Sequence, residues 1–318
     1  MGKGKLVQVG QVFASHCPED EKGNPVDTRP VIVMTGATNG LGRLAALDLA
    51  RSGAHLGLVA RSRQKADALR REIEQVAPQT PVDVFLADLS LVGDVHRVGR
   101  QIDAHYPRID VLINNAGVHA FSQRVTQEGF AEMTAVNYLA PWVLTDVLRD
   151  KLTASAPARI VTVASRASRR ARDVDPLRDL TSTADYTRRE SARLYGRTKL
   201  MDIMFTQELG RQLEGTGVAV TCCSPGFNTT GLGRELPLSG ALEKVLTRLK
   251  IGDPRHGAGI IVRLATDPAF AGSTGGYFAA KDAKSLECPE VGRDEAVQRA
   301  LWDVTGELLL DIRRPYTA

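Results

Sequence analysis

The feature that most constrains this chain is an alternation, starting at Val31, of short continuous apolar runs with longer stretches of helical period. VIVMTG (31–36) predicts a buried strand, and LGRLAALDLARSG (41–53) predicts a helix closed by Gly53. AHLGLVAR supplies a second strand, followed by a charged amphipathic helix over about 63–76. VDVFLADLS and IDVLINNAG predict the third and fourth strands, ARIVTVAS the fifth and GVAVTCCSPG the sixth. Long helices are expected over about 127–151 and 190–214. Strands that are apolar throughout need cover on both faces, and the helices between them supply it. The expected fold class is therefore α/β, a doubly wound and mostly parallel sheet in a single domain over 30–312.

Three segments fall outside this rhythm. Residues 1–29 are polar and marked by Pro and Gly, which reads as an irregular N-terminal arm. Residues 166–189 are Arg-rich, but Asp173, Asp175, Asp179 and Asp185 interrupt the run. That pattern reads as a solvated loop rather than an RNA- or membrane-binding patch. Residues 226–256 carry an apolar stripe of Leu242, Val245, Leu246 and Leu249 at helical spacing, with Gly231, Gly233 and Gly252 as candidate hinges. The stripe is expected to form a C-terminal lid over an apolar substrate, with ordinary core packing as the alternative.

A formal charge of +4 over 318 residues suits an anionic cofactor and is far from the concentrated basic footprint of a nucleic-acid binder. No nucleic-acid partner is expected. Cys17, Cys222, Cys223 and Cys288 form no C-x-x-C pair, so buried reduced thiols are expected rather than disulfides or a metal site. Cys222 and Cys223 adjoin on a strand and should face opposite sides of the sheet. The N-terminus has no apolar run long enough for a secretory signal, and no stretch of about 18 apolar residues occurs. No membrane span is expected, and the default compartment is cytoplasmic.

The first chemistry-bearing motif is TGATNGLG, between the first strand and the first helix, where Gly36, Gly40 and Gly42 allow a sharp turn. Such a turn lets backbone approach a pyrophosphate, whose charge is favoured at a helix N-terminus. Thr38, Asn39 and Leu41 belong to the same cradle. An NAD-type site would place a carboxylate at the end of the second strand to bind the ribose hydroxyls. LVARSR has Ala60 there, followed by Arg61, and a guanidinium can chelate a 2′-phosphate. The expected cofactor is NADP(H). Arg43, just inside the first helix, is a second candidate phosphate partner.

With TGATNGLG, the later NNAG (114–117) and YGRTK (195–199), the chain resembles the short-chain dehydrogenase/reductase superfamily over about residues 30–310. Tyr195 and Lys199 are four apart on a predicted helix and share a face. A free phenol has a pKa of about 10, and bringing it near 7 takes roughly 4 kcal/mol of preferential phenolate stabilisation. The ammonium and the cationic ring of an oxidised nicotinamide can provide it, so that Tyr195 acts as general acid toward a carbonyl or base toward an alcohol. The resemblance implies that Ser165 hydrogen-bonds the substrate oxygen, with Ser168 as a nearby alternative hydroxyl. It implies that Asn137 orders a water-mediated proton path to Lys199, which itself reaches the nicotinamide ribose. Asp88 and Leu89 match the adenine-binding pair, and Asn115, Ala116 and Gly117 match the loop along the ribose. Pro225, Gly226 and Thr230 match the segment contacting the nicotinamide carboxamide, where Asn228 departs from the family's apolar habit.

The C-terminal stretch TGGYFAAKDAKSLECPEVGRDEAVQRALWDVTGELL resembles retinol dehydrogenase-like members, in which a G-x-Y-F strand precedes a helix bearing L-W and E-L-L. The substrate implied is a lipophilic small-molecule carbonyl or alcohol. Reduction of an activated C=C bond is the alternative enzyme reading, and a catalytically silent cofactor-binding protein is the alternative outside enzymes. A homodimer stays open as the assembly state.

Overall fold

The computed structural model describes residues 28–226 and 254–313. Nearly all of the expected arm, the whole Leu242–Leu249 stripe with its hinge glycines, and Thr230 lie outside the described residues. Strand β1 (Val31–Thr35), helix α1 (Gly40–Arg51), β2 (His55–Ala60), α2 (Arg63–Val76) and β3 (Val82–Leu86) follow one another as the apolar periodicity predicts. Helix α3 (Val92–His105) leads to β4 (Val111–Asn114). The long helix expected over 127–151 begins later, as a short α4 (Glu132–Thr134), a π-helical turn (Ala135–Leu139) and α5 (Ala140–Ala154).

Strand β5 (Ala158–Val163) runs into a 3₁₀ turn (Arg166–Arg170), and α6 (Pro176–Thr181) precedes the long α7 (Arg188–Gln212). The Arg-rich segment is thus partly ordered and not simply a solvated loop. Asp179 is buried, with Arg178 at 3.1 Å and Arg197 of α7 at 2.9 Å, and Asp173 bridges the same two arginines. The interrupting acids neutralise part of the run by tying it to α7. Strands β6 (Val218–Ser224) and β7 (Gly276–Ala279) flank α8 (Pro254–Thr266), and β8 (Ser285–Leu286) and α9 (Glu295–Arg313) close the described chain.

The eight strands among the described residues form one sheet in the order β3-β2-β1-β4-β5-β6-β7-β8, parallel except for the last pair. Side chains leave a strand alternately to its two faces, and the cores divide accordingly. Val31 and Val33 join a core with α3, α5, α7 and α9, whereas Ile32 and Met34 join one with α1, α2 and α8. Cys222 lies in the first and Cys223 in the second, as their adjacency predicts. This is a doubly wound, Rossmann-type sheet, and its direction of winding reverses between β1 and β4. A crevice must open there at the carboxyl ends of the strands.

Near the other end of β2, Gly57 has a packing role that propensity does not reveal. An added Cβ would lie 2.8 Å from the Tyr106 hydroxyl, which donates to Asp83 Oδ2 at 2.8 Å. His55 Nε2 reaches the same oxygen at 2.6 Å. Gly57→Ala should displace the ring and lower stability by about 1–3 kcal/mol, the scale of overpacking. Urea denaturation of the two proteins measures this; an unchanged midpoint would show that Tyr106 yields freely.

Candidate active site

The glycine turn is built by close approach. Gly36 and Gly40 have φ of 68° and 55°, a region that favours glycine. A Cβ on Gly42 would sit 2.2 Å from the Gly36 carbonyl oxygen. Asn115, just past β4, braces this turn: its Nδ2 donates to the carbonyls of Thr35 and Gly36, each at 3.0 Å. Its backbone N–H donates to Thr35 Oγ1 at 3.0 Å. Asn39 caps α1 without a side-chain hydrogen bond, leaving the first-turn amides with no side-chain partner.

These amides open on a cleft of about 910 Å³ along the carboxyl ends of β1, β2, β4 and β5. Gly36, Thr38, Asn39, Gly40, Leu41 and Gly42 form one wall, with Arg61 where β2 ends. Asp88 and Leu89 follow β3, and Asn115, Ala116 and Gly117 follow β4. Ser165, Tyr195, Lys199, Pro225 and Gly226 complete the opposite end. Asp88 Oδ1 is engaged by the Ser90 amide and hydroxyl at 3.0 and 2.8 Å.

Several expected positions behave differently. Arg43 does not line the cleft; its guanidinium is paired in a fork with Glu72 on α2. Lys65, in the first turn of α2, lines the cleft with Arg61 instead. Asn137 is fully buried in the π turn, behind the cleft wall. Its Oδ1 accepts from the Val118 amide at 2.7 Å, and its Nδ2 donates to the Val118 carbonyl and to Thr198 Oγ1. That set of bonds fixes the loop after β4. Ser168 is buried away from the cleft, which leaves Ser165 as the hydroxyl beside Tyr195.

Tyr195 is 8% exposed, stacked on His119 with ring centroids 4.7 Å apart, within an apolar cluster that includes Ala120 and Met133. Burial pushes its phenol above the ordinary value, and Asp202 pushes the same way; Lys199 and the Ser165 hydroxyl pull it down. The net direction is upward. Lys199 Nζ donates to the Val163 carbonyl and to Asp202 Oδ2, both at 2.8 Å. Burial lowers the ammonium's pKa, but Asp202 and Tyr195 raise it, and the net direction is upward. His119, Lys65 and Asp202 were absent from the residues that sequence reasoning singled out. Only Asp202 had a readable signal, its spacing of three from Lys199 on the same helix.

Residues 30–175 match the family model for short chain dehydrogenase. Human retinol dehydrogenase 14 is 35% identical over 290 residues, covering 86% of this chain and 84% of that protein. Human retinol dehydrogenase 13 is 33% identical over 284 residues, covering 87% and 84%. Among solved structures, a candidate NAD(P)-dependent gluconate 5-dehydrogenase of Beutenbergia cavernae, with NADP at low occupancy, superposes with a TM-score of 0.61 at 26% identity. The alignment covers 79% of this chain and 94% of that one. The chain belongs to the short-chain dehydrogenase/reductase family of nicotinamide-dinucleotide oxidoreductases, in its retinol dehydrogenase-like group. Among the described residues no helix is long and apolar enough to cross a membrane.

The cleft fits such a dinucleotide on its own features. It offers open amides at a helix N-terminus, a positive-φ glycine turn at Gly36 and Gly40 along its wall, and a buried phenol at the far end.

Proposed function

We propose that this protein is an NADP(H)-dependent oxidoreductase that interconverts a carbonyl and an alcohol on a lipophilic small molecule, with Tyr195 as general acid and base. The observation that carries the reading is the placement of Tyr195, buried beside Ser165 and Lys199, in the same cleft as the glycine turn and Arg61. The α1 amides receive the pyrophosphate, and Arg61 with Lys65 receives the 2′-phosphate, where a carboxylate at Ala60 would repel it. The cofactor, when bound, supplies or accepts the hydride. Ser165 holds the substrate oxygen by a hydrogen bond, and the Tyr195 hydroxyl gives that oxygen its proton in reduction or takes it in oxidation. Lys199 stabilises the resulting phenolate from one turn away. Val118, Ala167 and Leu194 pack around the Tyr195 cluster, which supports an apolar substrate body, as does similarity to retinol dehydrogenases.

Two variants test the reading. Arg61→Ala should weaken NADPH binding by about 10- to 100-fold, equivalent to 1.5–3 kcal/mol for a charge-assisted hydrogen bond, while NADH binding changes little. Fluorescence titration with both cofactors measures it, and equal wild-type affinities for the two would defeat the NADP assignment. Tyr195→Phe should bind NADPH nearly as the wild type does, yet lose about 10²-fold or more in turnover of an apolar aldehyde. Turnover retained in that variant would mean that the proton comes from elsewhere.

A further inference from the structure

Helix α7 places three chemistry-bearing side chains on one face: Tyr195, Lys199 and Asp202, at positions i, i+4 and i+7. The reaction as read above uses only the first two. Asp202 is 1% exposed, and its Oδ2 accepts from Lys199 Nζ at 2.8 Å. Its Oδ1 has no hydrogen-bond partner among the described residues. Thr206 donates to the Asp202 backbone carbonyl and leaves the carboxylate untouched. The titratable groups facing the pair are Tyr195 on α7, Tyr138 from the π turn, and Cys222 and Cys223 from β6. Of these side chains, Lys199 alone is cationic.

A carboxylate removed from water stays ionised only when a neighbour stabilises its charge, and here the lysine does so. The effect is mutual. A negative charge against the ammonium reduces the positive field that reaches the phenol four residues away. We propose that Asp202 is a positioning residue that holds the Lys199 ammonium in place while offsetting its pull on Tyr195, thereby setting the pH range in which the phenol exchanges its proton. The inference rests on the role of Tyr195 proposed above. The directions of the shifts agree with the geometry. Burial pushes the Asp202 carboxyl up to about 6 against the pull of Lys199, and Asp202 in turn pushes the Tyr195 phenol upward.

Asp202→Asn keeps an acceptor of nearly the same shape and removes the charge. The readout is the ionisation midpoint of Tyr195, taken as the tyrosinate absorbance difference between each protein and its Tyr195→Phe counterpart, with NADP⁺ bound. The midpoint should fall by about one pH unit in Asp202→Asn, because the ammonium then acts on the phenol unopposed. A midpoint that stays or rises, in a protein that still binds NADP⁺, would overturn the inference while leaving the catalytic reading in place. That reading fails separately, if wild type and Tyr195→Phe turn over an apolar aldehyde equally. Should the Asn variant not fold, Asp202→Ser removes the same charge with a smaller polar side chain. The Ser variant should likewise have a lower Tyr195 midpoint than the wild type, and equal midpoints would show that Asp202 has no hold on the phenol.

Discussion

The contact on which the site depends is the approach of the turn after β5 to helix α7 at Gly196. A Cβ there would lie 2.3 Å from the Ala167 carbonyl oxygen and 3.1 Å from Arg170 Cβ, so only glycine permits the contact. That approach brings Ser165, at the exit of β5, beside Tyr195. It also lets Lys199 reach the Val163 carbonyl from the helix side. Arg197, two residues beyond Tyr195, secures the far side of the same junction through Asp173 and Asp179. Strand β5 and helix α7 belong to the same half of the sheet, whereas the glycine turn belongs to the other half. The cleft at the reversal between β1 and β4 therefore spans two separately braced walls, one held by Asn115 and one by Gly196.

Charge is distributed along this cleft according to need. Arg61 and Lys65 stand at the β2 end, whereas Arg43 is taken up by Glu72 and Arg124 by Glu132. At the other end the lysine is balanced by a buried carboxylate, and the phenol lies in an apolar setting that favours its protonated form. A Tyr/Lys pair is thus insufficient to describe the acid–base state of such a site. The third residue on the helix face contributes to it.

Much of this was legible in the sequence because continuous apolar runs and glycine turns are local signals. Helix α2 spans Arg63–Val76 as its amphipathic pattern predicts, and the opposed faces of Cys222 and Cys223 follow from strand pleating. Helix α3 was not legible by itself, since Gly93 and Gly99 weaken its pattern. Gly99 is explained only in three dimensions, where a Cβ would sit 2.9 Å from Val147 of α5. The late start of the helix expected from 127 reflects a turn closed by the Val125–Ala131 bridge. Among site residues, Tyr195, Lys199 and the glycine turn were accessible through spacing. Long-range partners decided the rest: Glu72 took up Arg43, Asn137 bonded Val118 and Thr198, and His119 stacked on Tyr195.

The central claim is hydride exchange at a carbonyl carbon, with Tyr195 managing the proton. The most direct measurement offers the protein an apolar α,β-unsaturated aldehyde together with NADPH carrying deuterium at the transferable nicotinamide position. The product is then analysed by NMR and mass spectrometry. Deuterium on the carbinol carbon of an allylic alcohol is the predicted result. Deuterium on the β-carbon of a saturated aldehyde, or no transfer from NADPH to any aldehyde of an apolar panel, would contradict the account.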